Sequence, residues 1–504
     1  MEEAQPTHFD YLVIGTGLRQ SLLAAALAKF GHSVLHVDER SYYGEEQATL
    51  SLNELVAWAD ERNHSTSASS SSITRVDLHF TATGSAELPS ELAQSARRYN
   101  ITLCPTIYPS SGPFISSLVR SGVAKYSAFR LIDTVALYDD ESLKPAATTK
   151  EDIFKDKTLS LIEKRRVMKF VMAANAEEGN EQANDGQLVE TLEGKYSLTG
   201  RLKEMIMYAA ALSVSEQAMT KSAVAHLKKY MRSTGKYGKS PFLLGQYGGI
   251  GEIIQGFCRV SAVFGGTYML GRPIQSLTQP TSEAPGSVKF HENETYTATC
   301  AISAEKPDAA SPATWQHRGI ILLSRRIYLA RQATASAEGE GEDANEDTTP
   351  VENALFVISP GRLGQDTPSA PVVTMMAGEG SFSAPAGQYV LYMCTVARPG
   401  SSATAKECLE PCLKALLQAS TEPLKEEDII MSAFYSQAAE APLVVAKEGK
   451  TQTFPRSADL TTLFGLAEIG DTAVWEATAC YAYLTGENEL FVQAEEESED
   501  IEDM

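Results

Sequence analysis

The sequence lacks most of the short patterns that carry chemistry. Its eight histidines show no HExxH spacing. The pair four apart, His32 and His36, flanks "SVL" in a strand-like segment, where core packing is the expectation. No GxSxG elbow occurs. The seven cysteines form no CxxC; Cys408 and Cys412 share one helical face if a helix runs there, and read as buried thiols rather than a metal pair. Lys and Arg are nowhere concentrated as phosphate neutralisation requires, which argues against a nucleic-acid partner. The most apolar early run, "SLLAAALAKF", is interrupted at Lys29 and is too short to span a bilayer. No leader-like segment precedes Phe9, so a reduced, cytosolic setting is expected.

What the chain does have is acid. Its 504 residues carry a formal charge of −22, much of it in two stretches. "AEGEGEDANEDTTP" holds six acids and "AEEESEDIEDM" seven, with no Lys or Arg in either, and both read as disordered. The remainder is an ordinary folded body with 43% hydrophobic residues.

Residues 9–38 read as strand, helix, strand, the opening of an α/β sheet. Near residue 150 the character changes. "SLIEKRRVMKFVMAAN" opens on a capping box, Ser160 with Glu163. Leu198, Leu202, Met205, Ile206, Ala209 and Leu212 then recur at helical spacing, as do Thr220, Val224, Leu227 and Met231. After a glycine-rich stretch, "SPFLLGQYGGIGEIIQGFCRVSAVFGGTYML", strand-like segments alternate to the end, with "AKECLEPCLKALLQ" a helix packed on them. The expected fold is α/β (α+β). A large discontinuous FAD/NAD(P)-binding-like domain (1–149 and 236–492) holds an inserted all-helical domain (150–235), an acidic insert (335–350) and an acidic tail (493–504).

The first βαβ unit bears on a cofactor. "YLVIGTGLRQ" supplies Gly15 and Gly17 of a dinucleotide fingerprint, and Asp38 lies where a ribose-binding acid belongs, but Gln20 replaces the third glycine. The reading is a vestigial cleft with no cofactor. "GKYGKSPF" is a decoy for a phosphate loop: serine stands where the earlier glycine is needed, and a proline interrupts the helix that should follow. In the helical region six of the 13 methionines gather: Met168, Met172, Met205, Met207, Met219 and Met231. Methionine suits a surface that adapts to an apolar guest, and it suits an ordinary helical core equally well.

The stretches "YLVIGTGL", "LHVDERSYYGEEQATLSL", "RRYNITLCP", "KYGKSPFL" and "GGIGEIIQGFCRVSAVFGGTYML" resemble the Rab GDP-dissociation inhibitor and Rab escort protein superfamily, from residue 9 to about 270. The resemblance implies a flavoprotein-like fold without flavin. It implies a non-enzymatic protein whose partners are GDP-bound Rab GTPases and their geranylgeranyl groups, with transient delivery to membranes. It places a Rab-binding platform on Tyr43, Glu252, Arg259, Thr267 and Met269, and a lipid site in the helical domain, here Met168, Met172, Met205, Ile206 and Met231. Two departures mark this chain: Glu45 where the family commonly has a second glycine, and Ile253-Ile254 where it commonly has Leu-Pro. "EDIFKDKTLSLIEKRRVMKF" looks more like the escort proteins, which also bind Rab geranylgeranyl transferase, with Phe170 as anchor and Arg166 beside it. A dissociation inhibitor is the alternative within the superfamily; a flavin-dependent oxidoreductase is the alternative outside it.

Overall fold

The computed structural model describes residues 7–64, 72–147, 150–156, 158–176, 186–291, 294–304, 315–329, 351–364, 368–439, 441–454 and 466–491. The acidic stretches 335–350 and 493–504 lie outside the described residues. The statements below concern the described ones.

The opening βαβ unit forms as its pattern predicts. Strand β1 (His8–Ile14) and strand β2 (Val34–Asp38) pair in parallel, Tyr11 opposite Val34 and Ile14 opposite Val37, with helix α1 (Leu18–Lys29) between them. The Thr267–Leu270 strand adds in parallel beside β2, and Thr295–Ala304 beside β1. Antiparallel strands complete an eight-stranded sheet. Residues 18–28 of α1 are all buried, and its Ala24–Ala28 run lets neighbouring helices approach closely. Two helices cover it, Ile250–Val263 and Ile469–Thr485. Arg19 and Glu476, both buried, pair at 2.9 Å across the second contact.

A second eight-stranded sheet draws on distant parts of the chain. Asp77–Phe80 pairs with Ile429–Ala438, and Thr134–Asp139 with Ala354–Ile358. The body is therefore discontinuous. The Ala405–Gln418 helix, started by a Thr404–Glu407 capping box, lays Leu409, Cys412, Leu413 and Leu416 on this sheet. Cys412 is buried and its thiol is pushed up to about 12 by that burial; no group of metal-ligating side chains forms among the described residues.

Between Pro145 and Phe242 the described residues contain helices and no strand. The Ser160–Glu163 capping box is present: the Ser160 amide donates to Glu163 Oε2 at 2.8 Å, and the Glu163 amide to Ser160 Oγ at 3.3 Å. It opens the Leu161–Ala176 helix. The segment expected as one helix from Leu198 to Leu212 is α-helical only over Gly200–Glu204 and widens to a π-helix over Met205–Ala210. Such widened turns are uncommon and cluster at functional sites. The helical module shares one hydrophobic core with the second sheet. Arg362 clamps it to the body, bonding Glu204 at 2.9 Å and Asp139 at 3.0 Å. Lys229 does the same through Glu468 and Asp471.

Candidate functional site

At the N-terminus of α1 the backbone amides of Gly17 and Leu18 point outward, as in any dinucleotide-binding turn. Here the chain's own side chains take them. The Gly17 amide donates to Glu45 Oε2 at 3.2 Å, and the Leu18 amide to Gln47 Oε1 at 2.8 Å. A Cβ built on Gly15 would lie 2.6 Å from Glu45 Oε1, and one on Gly17 3.1 Å from Oε2. The space that the two glycines clear for a diphosphate is thus held by a carboxylate. Gln20 is buried behind it and donates to Glu45 Oε2 at 3.4 Å. The sequence pointed to Gln20 as the obstruction; Glu45 is the occupant and Gln20 its support.

Asp38 is also committed. Its Oδ2 accepts from the Thr16 amide at 2.9 Å and the Thr16 hydroxyl at 2.5 Å, and its Oδ1 from the Arg40 amide at 2.9 Å. Burial pushes its carboxyl above the usual carboxylate range despite these bonds. In this arrangement Gly15, Gly17 and Asp38 do not fit a flavin or nicotinamide dinucleotide, because both anchoring points have internal partners.

The five platform residues occupy the neighbouring surface unequally. Tyr43 is half-buried, its ring 6.1 Å from that of Tyr268. Glu252 stands half-buried in the first turn of the Ile250–Val263 helix, where desolvation raises its carboxyl. Gly248 and Gly251, just before and at the start of that helix, press on Thr49; a Cβ on either would come within 2.3 Å of its side chain. Arg259, two turns on from Glu252 (about 10 Å along the axis), is exposed. Its guanidinium sits 4.4 Å from the centroid of the Tyr126 ring rather than on a carboxylate. Thr267 is half-buried on its strand.

Met269 is corrected: expected as contact area, it is 9% exposed and packs with Leu35 and Val37 in the core of the first sheet. Alternation along the strand turns Tyr268 to the opposite face, towards Tyr43 and His36. The sequence reading passed over Tyr268, although strict alternation sends Tyr268 and Met269 to opposite faces.

A second site lies in the helical module. Val167, Phe170, Met205, Ile206, Tyr230 and Met231 are among the residues enclosing an apolar cavity of about 40 Å³. The π-helical turn contributes Met205, Ile206, Ala209 and Ala210 to its wall. Of the five predicted lipid residues, Met205, Ile206 and Met231 line it. Met168 packs half-buried against the core instead, and Met172 is 63% exposed on the outer face. Leu227, Tyr230, Met231 and Thr234 recur at helical spacing on the wall, a signal lost by following methionine alone.

Phe170 is corrected too. It is 3% exposed, with its ring edge-on to Tyr196 at 5.3 Å, so it forms the cavity wall and no outward anchor. Arg166 is exposed and donates to the Ser197 carbonyl at 3.3 Å. Leu161 and Ile162, one turn before it, are exposed apolar side chains.

A dinucleotide-type body with an internally closed cleft, joined to a helical module with an apolar cavity, defines the class of fold. The chain belongs to the GDP dissociation inhibitor family, whose model matches residues 1–65 and 57–307, together more than half its length. It is 28% identical to "Rab proteins geranylgeranyltransferase component A" of Saccharomyces cerevisiae over 432 residues, 84% of this chain and 68% of that one. The protein of the same name in Drosophila melanogaster is 33% identical over 285 residues, 54% of each chain. "Guanosine nucleotide diphosphate dissociation inhibitor 2" of Arabidopsis thaliana is 30% identical over 275 residues, 53% of this chain and 56% of that one. The chain thus spans about half the length of the last two. Among solved structures, the Rab GDI of Plasmodium falciparum superposes with a TM-score of 0.65 at 19% identity, covering 96% of this chain and 99% of that one. A putrescine oxidase superposes at 0.51 with 11% identity, covering 95% and 99%. These two share the fold.

Proposed function

We propose that this chain is a Rab escort protein. It binds newly made GDP-bound Rab GTPases, presents them to Rab geranylgeranyl transferase, and carries the prenylated product to membranes. The observation that carries this reading is the apolar cavity walled by the π-helical turn, in a chain whose relatives bear the name of geranylgeranyltransferase component A. The platform for the GTPase is Tyr43, Glu252, Arg259 and Thr267, with Met269 and Tyr268 supporting it from the sheet. Arg259 and Glu252 make charge-assisted hydrogen bonds to the partner. The transferase contact belongs to the outward face of the Leu161–Ala176 helix, Arg166 with Leu161 and Ile162, in place of the buried Phe170.

The energetics set the need for such a carrier. Burying an alkyl chain is worth about 0.8 kcal/mol per CH₂. Two prenyl chains of about 20 carbons each therefore favour membranes or aggregates by well over 10 kcal/mol on the same scale. The cavity of about 40 Å³ holds only a few atoms as it stands, so lipid entry parts the helices around it. Prenyl transfer itself belongs to the transferase, and this chain supplies binding and orientation.

A prenylation assay with Rab, geranylgeranyl diphosphate and transferase, with and without this chain, tests the reading. Turnover that depends on the chain supports it. A second reading, recycling of prenylated Rab, rests on the likeness to guanosine nucleotide diphosphate dissociation inhibitor 2 of Arabidopsis thaliana. Extraction of prenylated Rab from membranes without any support of prenylation would establish that one instead.

A further inference from the structure

The closed cleft does more than exclude a dinucleotide. The residues that close it form one short loop, and that loop carries Tyr43. On either side of Tyr43 the chain is tied down, at Arg40 and again from Gly44 to Gln47. The Arg40 amide bonds Asp38, and its guanidinium pairs with Glu46 at 2.9 Å. The Gly44 amide donates to the Thr16 hydroxyl at 2.9 Å, Glu45 accepts from the Gly17 amide, and Gln47 accepts from the Leu18 amide. Glu46 Oε1 accepts from the Ser72 hydroxyl at 2.6 Å; burial works to raise its carboxyl, and Arg40 and Ser72 hold it below the usual range.

Glu45 stands out among these anchors. Its φ is +50°, in the left-handed region that a side chain disfavours, directly after Gly44 at +99°. Glycine would relieve that backbone and would leave the Gly17 amide without a carboxylate. The residue that stands there accepts the backbone penalty and places a negative charge on the positive end of a buried helix.

We propose that Glu45 is a positioning residue for partner recognition. Its carboxylate occupies the former diphosphate position on α1 and, by doing so, holds the Arg40–Gln47 loop and the Tyr43 side chain in the conformation that meets the GTPase. The functional half of this inference rests on the platform reading above. The cofactor cleft has become the anchor of a recognition loop, and a dinucleotide in the cleft and the loop in this conformation exclude one another. The role passes to Glu45 by occupancy: the carboxylate stands where a diphosphate would make the same hydrogen bonds.

The test uses the full chain, its Glu45→Ala, Glu45→Gln and Tyr43→Ala variants, and the Tyr43→Ala/Glu45→Ala double variant. Two readouts are taken: amide hydrogen exchange over residues 15–20 and 40–48, and affinity for a GDP-loaded Rab GTPase. Glu45→Ala should speed exchange in both segments by about tenfold or more and weaken the GTPase by a similar factor. Glu45→Gln, which keeps an oxygen for the Gly17 amide, should recover part of both losses. The double variant should bind no worse than the weaker single variant, because the two residues act through one loop. Millimolar inorganic diphosphate should slow exchange again in Glu45→Ala and leave the wild type unchanged, a rescue that general destabilisation does not produce. Unchanged exchange in Glu45→Ala overturns the inference, as does additive loss in the double variant. Loosened exchange with GTPase affinity unchanged in Tyr43→Ala as well supports the anchor and overturns the platform reading.

Discussion

The Nε2 atom of His36 donates to the carbonyl oxygen of Gly15 at 2.7 Å, bridging β2 to the turn before α1. The carbonyl can only accept, so Nε2 carries the proton. Burial pushes the imidazole down to about 4, and the neutral ring's Nδ1 accepts from the Tyr268 hydroxyl at 3.1 Å. Gly15, Tyr268 and, by ring contact, Tyr43 are thereby joined through one histidine.

A pH dependence follows. The unfolded chain binds a proton at His36 near pH 6.5 and the folded chain only near 4, so the His36 contribution is complete above about 6.5 and is lost as pH falls towards 4. The full loss is about 3 kcal/mol by linkage. Asp38, whose carboxyl burial raises, acts in the opposite direction, so the comparison that counts is wild type against His36→Gln. The guanidinium midpoint of the wild type should fall more steeply than that of the variant between pH 7 and 4.5. Parallel profiles would mean that His36 is not held neutral.

Phe170→Ala should cost about 3–5 kcal/mol of stability, the range for deleting a buried phenylalanine, since the ring packs on Tyr196 and walls the cavity. Urea unfolding checks this. A variant with wild-type stability and weakened transferase association would return Phe170 to the role of anchor.

Ala210→Leu adds bulk to the cavity wall at the end of the π-helical turn. Overpacking there should cost about 1–3 kcal/mol of stability. Affinity for a fluorescent geranylgeranyl peptide should drop about tenfold or more, while binding of unprenylated Rab stays within about threefold. Equal lipid affinity in variant and wild type would place the prenyl group elsewhere.

Arg259→Ala should weaken GDP-Rab binding by about 1.5–3 kcal/mol, the range for hydrogen bonds to charged groups. Stability should fall by no more than about 1 kcal/mol, because among the described residues the exposed guanidinium contributes a cation–π contact with Tyr126. Titration calorimetry and thermal melting of the same preparation separate the two effects. Unfolding with unchanged binding per folded molecule would make it a structural residue.

The local sequence determined a good deal by itself. The β1–α1–β2 unit, the Ser160 capping box, the helical insertion and the Ala405–Gln418 helix on the second sheet are written in periodicity and cap chemistry, which act between residues a few positions apart. Gly15, Gly17 and Asp38 were legible as a fingerprint for the same reason. Tertiary structure alone decided what fills that fingerprint. Nothing local says that Glu45 reaches back 28 residues to the Gly17 amide, because the contact depends on how the loop after β2 folds over α1. It also decided which way Met269 and Phe170 face. An apolar side chain at a strand or helix position is equally suited to a surface anchor and a core. Only the elements packed around it, Val37 beside Met269 and Tyr196 beside Phe170, determine whether water or protein lies over it.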